Sequence, residues 1–213
     1  MLIKIALLIL AYLLGSIPFG FLFGKSKGID IREHGSKNIG ATNTGRVLGY
    51  RYAVLTYILD ALKGFIIVAL FTLNILPSEY CLLSPMLYGI AAVLGHTFPI
   101  FLKFKGGKAV ATSGGVILAF SPIIFFSALI IFFIITGIFK YVSLGSIFAA
   151  SFIMVASIVE TILKDGFSNS DQLINIYFPL GTLILFLIIL IRHKSNIVRL
   201  IKHQESKVKW TKK

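Results

Sequence analysis

The 213-residue sequence has few acidic residues and a single cysteine. Its 8 acidic side chains face 21 lysines and arginines, and charged residues make up only 14% of the chain, against about 25% in a typical soluble domain. Cys81 alone cannot form a disulfide within the chain. No H-E-x-x-H motif or cysteine cluster indicates a metal site. We therefore expect a chain that is not an ordinary soluble domain and that carries no metal and no cofactor.

Long apolar runs take the place of the missing charge. Hydrophobic residues make up 57% of the sequence, and most runs are close to the ~20 residues that cross a bilayer as a helix. They lack the alternation of β-barrel strands, and the first run has no signal-peptide cleavage site. The sequence thus predicts an all-α polytopic membrane protein, with residues 1–213 as a single integral-membrane domain. The runs occupy residues 2–24, 52–76, 80–102, 109–139, 141–163 and 173–191.

The net charge of +13 is concentrated between the runs. Cations crowd the segments 25–51, 103–108 and 192–213, whereas the connections near 74–80 and 164–172 hold mainly acidic or neutral residues. This bias is typical of cytoplasmic loops on one face of a membrane protein. It indicates membrane orientation rather than nucleic-acid binding.

The run 109–139 is too long for one upright span. It would form a helix about 46 Å long, against about 30 Å of hydrocarbon. A single span would also place the basic tail outside, whereas a hairpin turning near Ser121-Pro122 returns Lys140 and the tail to the cytoplasm. We therefore predict a seven-helix transmembrane bundle with the N-terminus external and the C-terminus cytoplasmic. Its cytoplasmic site-forming segments are 25–51, 103–108, 140–143 and 192–213.

The segment from Ser36 to Arg46 is rich in glycine, hydroxyl and amide groups, and this composition suits a phosphate-sized anion. Its central glycines superficially resemble a P-loop. However, Arg46 and Val47 replace the required lysine and hydroxyl residue, and no strand precedes the segment. A nucleoside triphosphate site is therefore excluded, and an anion site of another kind is expected.

A second glycine segment places Gly106 and Gly107 between Lys105 and Lys108. This segment precedes a predicted helix, where backbone N–H groups and the positive helix end favour an anion. The sequence therefore predicts phosphate binding here as well.

Polar residues within the apolar runs or near their ends form three further features. Asp60 and Lys63 are three apart inside an apolar run, where a lone charge costs about 2.5–3.5 kcal/mol. We predict that they form a structural ion pair. If the last apolar run continues as a helix, His193 and Asn196 share one face, and neither is needed for membrane anchoring. His96, beside apolar residues, is more typical of a structural histidine.

In their order and spacing, these motifs resemble the membrane-integral acyl-phosphate:glycerol-3-phosphate acyltransferases of bacteria. The resemblance covers the whole chain and is carried by residues 15–20, 36–46, 95–99, 104–108, 140–143 and 192–200. It implies a seven-helix bundle in the bacterial cytoplasmic (inner) membrane, with its active site facing the cytoplasm. It also implies transfer of a fatty acyl group from acyl phosphate to the 1-hydroxyl of glycerol 3-phosphate. The products are lysophosphatidic acid and phosphate, in the first acylation step of phospholipid synthesis.

The resemblance also assigns roles to residues. It implies catalytic roles for Ser36, Arg46, Lys108, His193 and Asn196. It implies substrate binding by Thr42, Asn43, Gly106, Gly107 and Ser143, and a structural role for Glu205. Lys105, beside the glycine segment, is a further candidate for substrate binding. Expected partners are the two substrates and membrane lipid, with the enzyme that produces acyl phosphate as a candidate, and no nucleic acid.

The chain departs from the family pattern at two positions. Ala109 and His203 stand where glycine is usual. If residue 109 needs a positive φ, alanine strains it by about 1–2 kcal/mol.

Alternatives remain for two points, the group that accepts the proton and the functional class of the protein. The attacking hydroxyl loses its proton either to His193 or to a substrate phosphate, whose second pKa is near 6. A membrane transporter for organic phosphates is the rival function, although transporters usually place their polar site near the bilayer midplane. A non-catalytic scaffold that binds anionic lipid would leave the hydroxyl and amide groups without a role.

Overall fold

The computed structural model describes residues 1–165 and 172–208, except the side chains of residues 164, 165 and 172–175. The described residues form α-helices and short 3-10 turns, which confirms the all-α class. The predicted tail segment 192–213 therefore extends beyond the described residues at its last five positions. The helices are α1 (Leu2–Ser16), α2 (Phe19–Ser26), α3 (Ala41–Leu48), α4 (Tyr50–Thr72), α5 (Pro85–Thr97), α6 (Val110–Phe120), α7 (Pro122–Phe139), α8 (Val142–Asp165), α9 (Gln172–Arg192) and α10 (Lys194–Ile201).

Two compact units make up the chain, Met1–Phe120 and Ser121–Lys213. In the described residues, four helical stretches are long and apolar enough to cross a membrane: Tyr50–Thr72, Pro85–Leu102, Pro122–Phe139 and Val142–Leu163. Two bent pairs, α1 with α2 and α9 with α10, raise this number to as many as six, and α6 is a shorter apolar helix. The seven-helix count and the orientation of the termini stay predictions.

Proline marks two breaks within the predicted runs. The first run, 2–24, divides into α1 and α2, which are bent by 42° at Ile17-Pro18. The break expected near Ser121-Pro122 is confirmed, because α6 ends at Phe120 and α7 begins at Pro122. Proline suits the first position of a helix, because an N–H group there would have no intrahelical acceptor and its loss costs no hydrogen bond.

Glycine brings the helices of the first unit into backbone contact. A Cβ on Gly64 of α4 would overlap the carbonyl oxygen of Thr112 in α6, and one on Gly115 of α6 would overlap that of Ala61 in α4. Gly15 in α1 likewise touches the backbone of α5. Close approach through small residues is how membrane helices gain packing without a hydrophobic driving force. These contacts fix α6, and with it the loop that precedes α6.

In the second unit, α8 packs against both α7 and α9. Gly145 of α8 lies against the hydroxyl of Thr136 in α7. Ser157 and Thr182, both buried, join α8 to α9 through a hydroxyl hydrogen bond of 2.6 Å. These contacts hold α7, α8 and α9 together within the second unit.

Candidate active site

The predicted anion segment from Ser36 to Arg46 is only partly a loop. Its second half is α3, which begins at Ala41 after Gly40, and Asn38 Oδ1 accepts the Gly40 N–H at 2.9 Å. Thr42 and Arg46 are exposed and lie four residues apart, so they share one face of α3. Ser36 is also exposed.

Asn43 has a different environment from the other predicted residues of this segment. It is 1% exposed, and its side-chain oxygen accepts the Ser36 N–H at 2.7 Å. Its amide nitrogen donates to the carbonyls of Ile31 at 2.9 Å and His34 at 3.2 Å. A Cβ on Gly35, which has φ +59°, would overlap the same oxygen. Asn43 thus holds the turn that presents Ser36, and its predicted contact with substrate stays a prediction.

One cation of this region is already paired. Arg32 Nη2 lies 2.6 Å from Asp30 Oδ2. The side-chain hydrogen bond from Arg32 lowers the pKa of Asp30 to about 2. Ile31, between them, packs with Ile39 and Leu102 in a small buried cluster. This cluster brings the segment 25–51 against the turn that leads into the segment 103–108.

The glycine loop before α6 is built on His96. Gly107 donates its N–H to the His96 carbonyl at 3.0 Å, and a Cβ on Gly107 would overlap His96 Nε2. A Cβ on Gly106 would overlap the His96 carbonyl oxygen. Both positions therefore require glycine because of close approach. Lys108 is half-buried, whereas Lys105 is exposed.

Helix α6 begins immediately after this loop. The Ala109 carbonyl accepts the Ser113 N–H at 2.8 Å, and Ala109 has φ +61°. The first N–H groups of a helix have no intrahelical acceptor, so this end favours an anion. The glycine loop and the start of α6 together form the part of the first unit best suited to a phosphate group.

Two hydroxyls in the first turn of α6 were not singled out by sequence reasoning. Thr112 and Ser113 are 0% and 3% exposed, and neither hydroxyl has a hydrogen-bond partner among the described residues. The signal in the sequence was their position after the glycine loop, but hydroxyls also occur in ordinary membrane helices. We regard both as additional candidates for substrate contact.

The ion pair predicted between Asp60 and Lys63 is present. Lys63 Nζ lies 2.8 Å from Asp60 Oδ1 and donates to the Ile17 carbonyl at 2.9 Å. His96 Nδ1 lies 3.6 Å from the same carboxylate oxygen. All three side chains are at most 5% exposed. The pair therefore extends from the α1–α2 break to the histidine that supports the glycine loop.

Glu205 accepts hydrogen bonds from three polar side chains of the second unit. Its Oε1 accepts hydrogen bonds from Ser143 Oγ at 2.9 Å and Asn196 Nδ2 at 2.6 Å. Its Oε2 accepts one from Arg199 Nε at 2.7 Å. Burial alone would raise the pKa of Glu205, but these hydrogen bonds outweigh it and hold the pKa below its usual value. Ser143 and Asn196 thus meet on one carboxylate, and the structural role expected of Glu205 stays a prediction.

His193 lies at the junction of α9 and α10 and is 2% exposed. Its Nδ1 is 2.8 Å from the Ile189 carbonyl oxygen. Because a carbonyl can only accept, Nδ1 carries a hydrogen. In the neutral ring, Nε2 is then the nitrogen that can take up a proton. The tail also contacts the turn before α8, where Val208 donates its N–H to the Lys140 carbonyl at 2.7 Å.

No group of three or more histidine, cysteine, aspartate or glutamate side chains that could hold a metal ion occurs within the described part of the chain. The arrangement can bind anions through cations, hydroxyls and a helix start.

Comparison with known proteins agrees with this chemistry. The glycerol-3-phosphate acyltransferase family profile matches residues 5–203. A glycerol-3-phosphate acyltransferase of Geobacillus kaustophilus is 45% identical over 205 residues, covering 96% of this chain and 95% of that protein. One from Bacillus subtilis is 44% identical over 206 residues, covering 96% and 97%.

Solved structures extend the likeness to the fold. The crystal structure of PlsY (YgiH), an integral membrane glycerol 3-phosphate acyltransferase in its glycerol 3-phosphate form, is 37% identical with a TM-score of 0.84. That alignment covers 97% of this chain and 96% of the PlsY chain. The lysophosphatidic acid form of PlsY is 36% identical with a TM-score of 0.80, covering 97% and 95%. The chain therefore belongs to the glycerol-3-phosphate acyltransferase family of multi-pass membrane proteins.

Proposed function

We propose that the protein transfers a fatty acyl group from acyl phosphate to the 1-hydroxyl of glycerol 3-phosphate and forms lysophosphatidic acid and inorganic phosphate. The observation that carries the proposal is the glycine loop at Gly106-Gly107-Lys108, which is held by His96 directly before α6. Its relatives are named glycerol-3-phosphate acyltransferases, and PlsY was solved in glycerol 3-phosphate and lysophosphatidic acid forms. We further propose that the reaction occurs at the cytoplasmic face of the inner membrane.

Because the donor is acyl phosphate, the proposed mechanism needs no covalent nucleophile on the protein. Acyl phosphate is a mixed anhydride, so phosphate leaves readily. The hydroxyl oxygen forms a bond to the acyl carbon while the bond from that carbon to the phosphate oxygen breaks. Catalysis then consists of positioning two phosphates and neutralising their charge. Lys108 and the start of α6 suit the donor phosphate.

Other residues suit the acceptor. Arg46 and Thr42 share an exposed face of α3, where a guanidinium can bind a phosphate through two hydrogen bonds. Ser36 is presented by the turn that Asn43 holds. We assign Ser36 and Lys105 to phosphate contacts, and Ser143 and Asn196 to the polar group organised by Glu205.

The proton of the attacking hydroxyl is proposed to pass to a substrate phosphate, with His193 Nε2 in a hydrogen-bonding role. Glutamine at residue 193 keeps hydrogen-bonding groups but cannot take up the proton. His193→Gln is therefore expected to lower kcat less than 100-fold, with both KM values within about threefold. Loss of turnover with both affinities intact would instead make His193 the base.

The decisive experiment uses the full chain purified in detergent. With a C16 acyl phosphate and glycerol 3-phosphate, it should release phosphate and form lysophosphatidic acid in equal amounts. Lys108→Ala should raise the KM for acyl phosphate at least tenfold, whereas the exposed Lys194→Ala serves as a matched control and should act like wild type. Turnover with acyl-CoA but not acyl phosphate would overturn the proposed donor.

A transporter is disfavoured by the same contacts. The clearest charges within the apolar helices, Asp60 and Lys63, are already paired with each other, and Lys63 also binds the Ile17 carbonyl. Detergent provides no two compartments between which a transporter could move its substrate. A transporter would therefore not consume these substrates in the assay.

A further inference from the structure

His96 is buried at the end of α5 and has contacts on both edges of its ring. Its Nδ1 edge faces Asp60, 3.6 Å away, and its Nε2 edge faces Gly107 so closely that a Cβ there would overlap it. Its backbone carbonyl accepts the Gly107 N–H at 3.0 Å. One residue therefore supports the glycine loop both with its backbone and with its ring.

The orientation of the ring depends on two further buried groups. Asp60 lies between His96 and Lys63, and Lys63 Nζ is fixed by Asp60 at 2.8 Å and by the Ile17 carbonyl at 2.9 Å. The Phe19 ring lies 5.7 Å from the same ammonium group. This network crosses α4 and links the α1–α2 break to the glycine loop. Each member therefore has a defined position.

The energetics of burial argue that the network does more than hold helices together. Charged groups among apolar helices are costly, and well-packed apolar residues of similar volume often replace a buried ion pair without loss of stability. The first unit already has backbone contacts between α4 and α6 and between α1 and α5. An ion pair is thus not needed for those contacts, whereas the Asp60 carboxylate does face the imidazole that Gly107 approaches.

We propose that His96 is a positioning residue whose ring, oriented by the Asp60–Lys63 pair, sets the conformation of the loop Gly106-Gly107-Lys108 that binds the donor phosphate. The last clause rests on the proposed function. His96 acts through the loop and contacts no reacting atom in this proposal. Loss of the ring, or of the pair that orients it, should loosen the loop and weaken donor binding, while acceptor binding changes little.

The test compares two variants that affect the network with one that does not. His96→Gln removes the ring. The double variant Asp60→Asn/Lys63→Met removes both buried charges together, so no unpaired charge remains to prevent folding. Tyr88→Phe is the matched control, because Tyr88 is also buried on α5 but its hydroxyl binds the Leu82 N–H and the Tyr80 carbonyl instead.

Two readouts separate the inference from the proposed function. In the two network variants, backbone amide exchange over residues 103–113 should quicken at least fivefold, with no such change in Tyr88→Phe. The KM for a C16 acyl phosphate should rise at least tenfold, with the KM for glycerol 3-phosphate within about twofold.

Three outcomes are decisive. Unchanged exchange over residues 103–113 in folded His96→Gln overturns the positioning role, as does a parallel rise of both KM values. If the wild-type protein uses acyl-CoA and the network variants still show faster exchange, the positioning role is supported and only the donor assignment is overturned.

Discussion

Ala109 and His203 both adopt the left-handed backbone region, with φ of +61° and +54°. These are the two positions where the sequence departs from the usual family glycine, so the strain expected at Ala109 has its geometric basis. A left-handed conformation costs a residue with a side chain about 1–2 kcal/mol. Histidine tolerates this region better than most residues.

The two positions should respond differently to glycine. His203 is exposed, so His203→Gly should raise the free energy of unfolding by about 0.5 kcal/mol, because relief of strain exceeds the added freedom of the unfolded chain. Ala109 is 1% exposed, and its methyl contributes about 0.8 kcal/mol by burial. Ala109→Gly should therefore be nearly neutral. Thermal unfolding of both variants in detergent checks this, and a larger gain at residue 109 would contradict it.

Residue types were predictable from the sequence, but the directions of side chains were not. The hydrogen bonds from the Asn43 side chain to the backbone of its own turn were not foreseen, and its predicted contact with substrate stays a prediction. Gly106 and Gly107 were interpreted as an anion site through their backbone N–H groups, which stays a prediction, whereas the close approach of His96 to both residues was not foreseen. Such proximity arises from tertiary packing between segments, which local sequence does not encode.

At the scale of helices, glycine contacts carry the packing of the first unit. Gly64 of α4 meets the α6 backbone at Thr112, whereas a Cβ on Gly137 of α7 would have open space around it, with no neighbouring atom of the described residues within 4 Å. Gly64→Ala should therefore lower the free energy of unfolding by about 1–3 kcal/mol through overpacking. Gly137→Ala should be neutral or stabilising by up to about 1 kcal/mol. Melting temperatures of the matched variants decide, and equal effects would exclude this packing role.

The hydrogen bonds of Glu205 make the link between α8 and α10 dependent on pH. The pKa of Glu205 lies below its usual 4.5, so its contribution to stability is present above that pH and is lost as pH falls through the lowered value. Glu205→Gln should cost about 1 kcal/mol at pH 7, since Arg199 is partly exposed. The difference in melting temperature from wild type should shrink as pH is lowered from 4.5. A difference that stays constant would exclude the charge as the cause.

Helix existence was easier to predict than helix ends. Apolar runs located the long helices, and Pro122 indicated the break before α7. Helix α3 was missed because its glycine, asparagine and threonines have low helix propensity. Its buried residues, Asn43 and Thr44, supply tertiary contacts that outweigh that propensity. The break before Pro18 was obscured by the apolar residues around it.

At the scale of the whole molecule, the charge distribution determines the expected orientation. The net charge of +13 lies mainly in loops that the positive-inside rule assigns to the cytoplasm. A reporter fused after Tyr141 should therefore appear on the cytoplasmic face, and one fused after Glu79 on the external face. Labelling of intact cells distinguishes the faces. External signal after residue 141 would overturn the seven-span topology.

Glu205 has a consequence for the order in which the protein matures. It follows α8, α9 and the whole of α10 in the chain, yet it binds Ser143 and Asn196 together. During synthesis from the N-terminus, every helix of the second unit leaves the ribosome before this carboxylate does. The polar group of that unit therefore cannot assemble until translation has passed residue 205. A chain that stalls just before it would contain Ser143 and Asn196 and still lack the carboxylate that binds both.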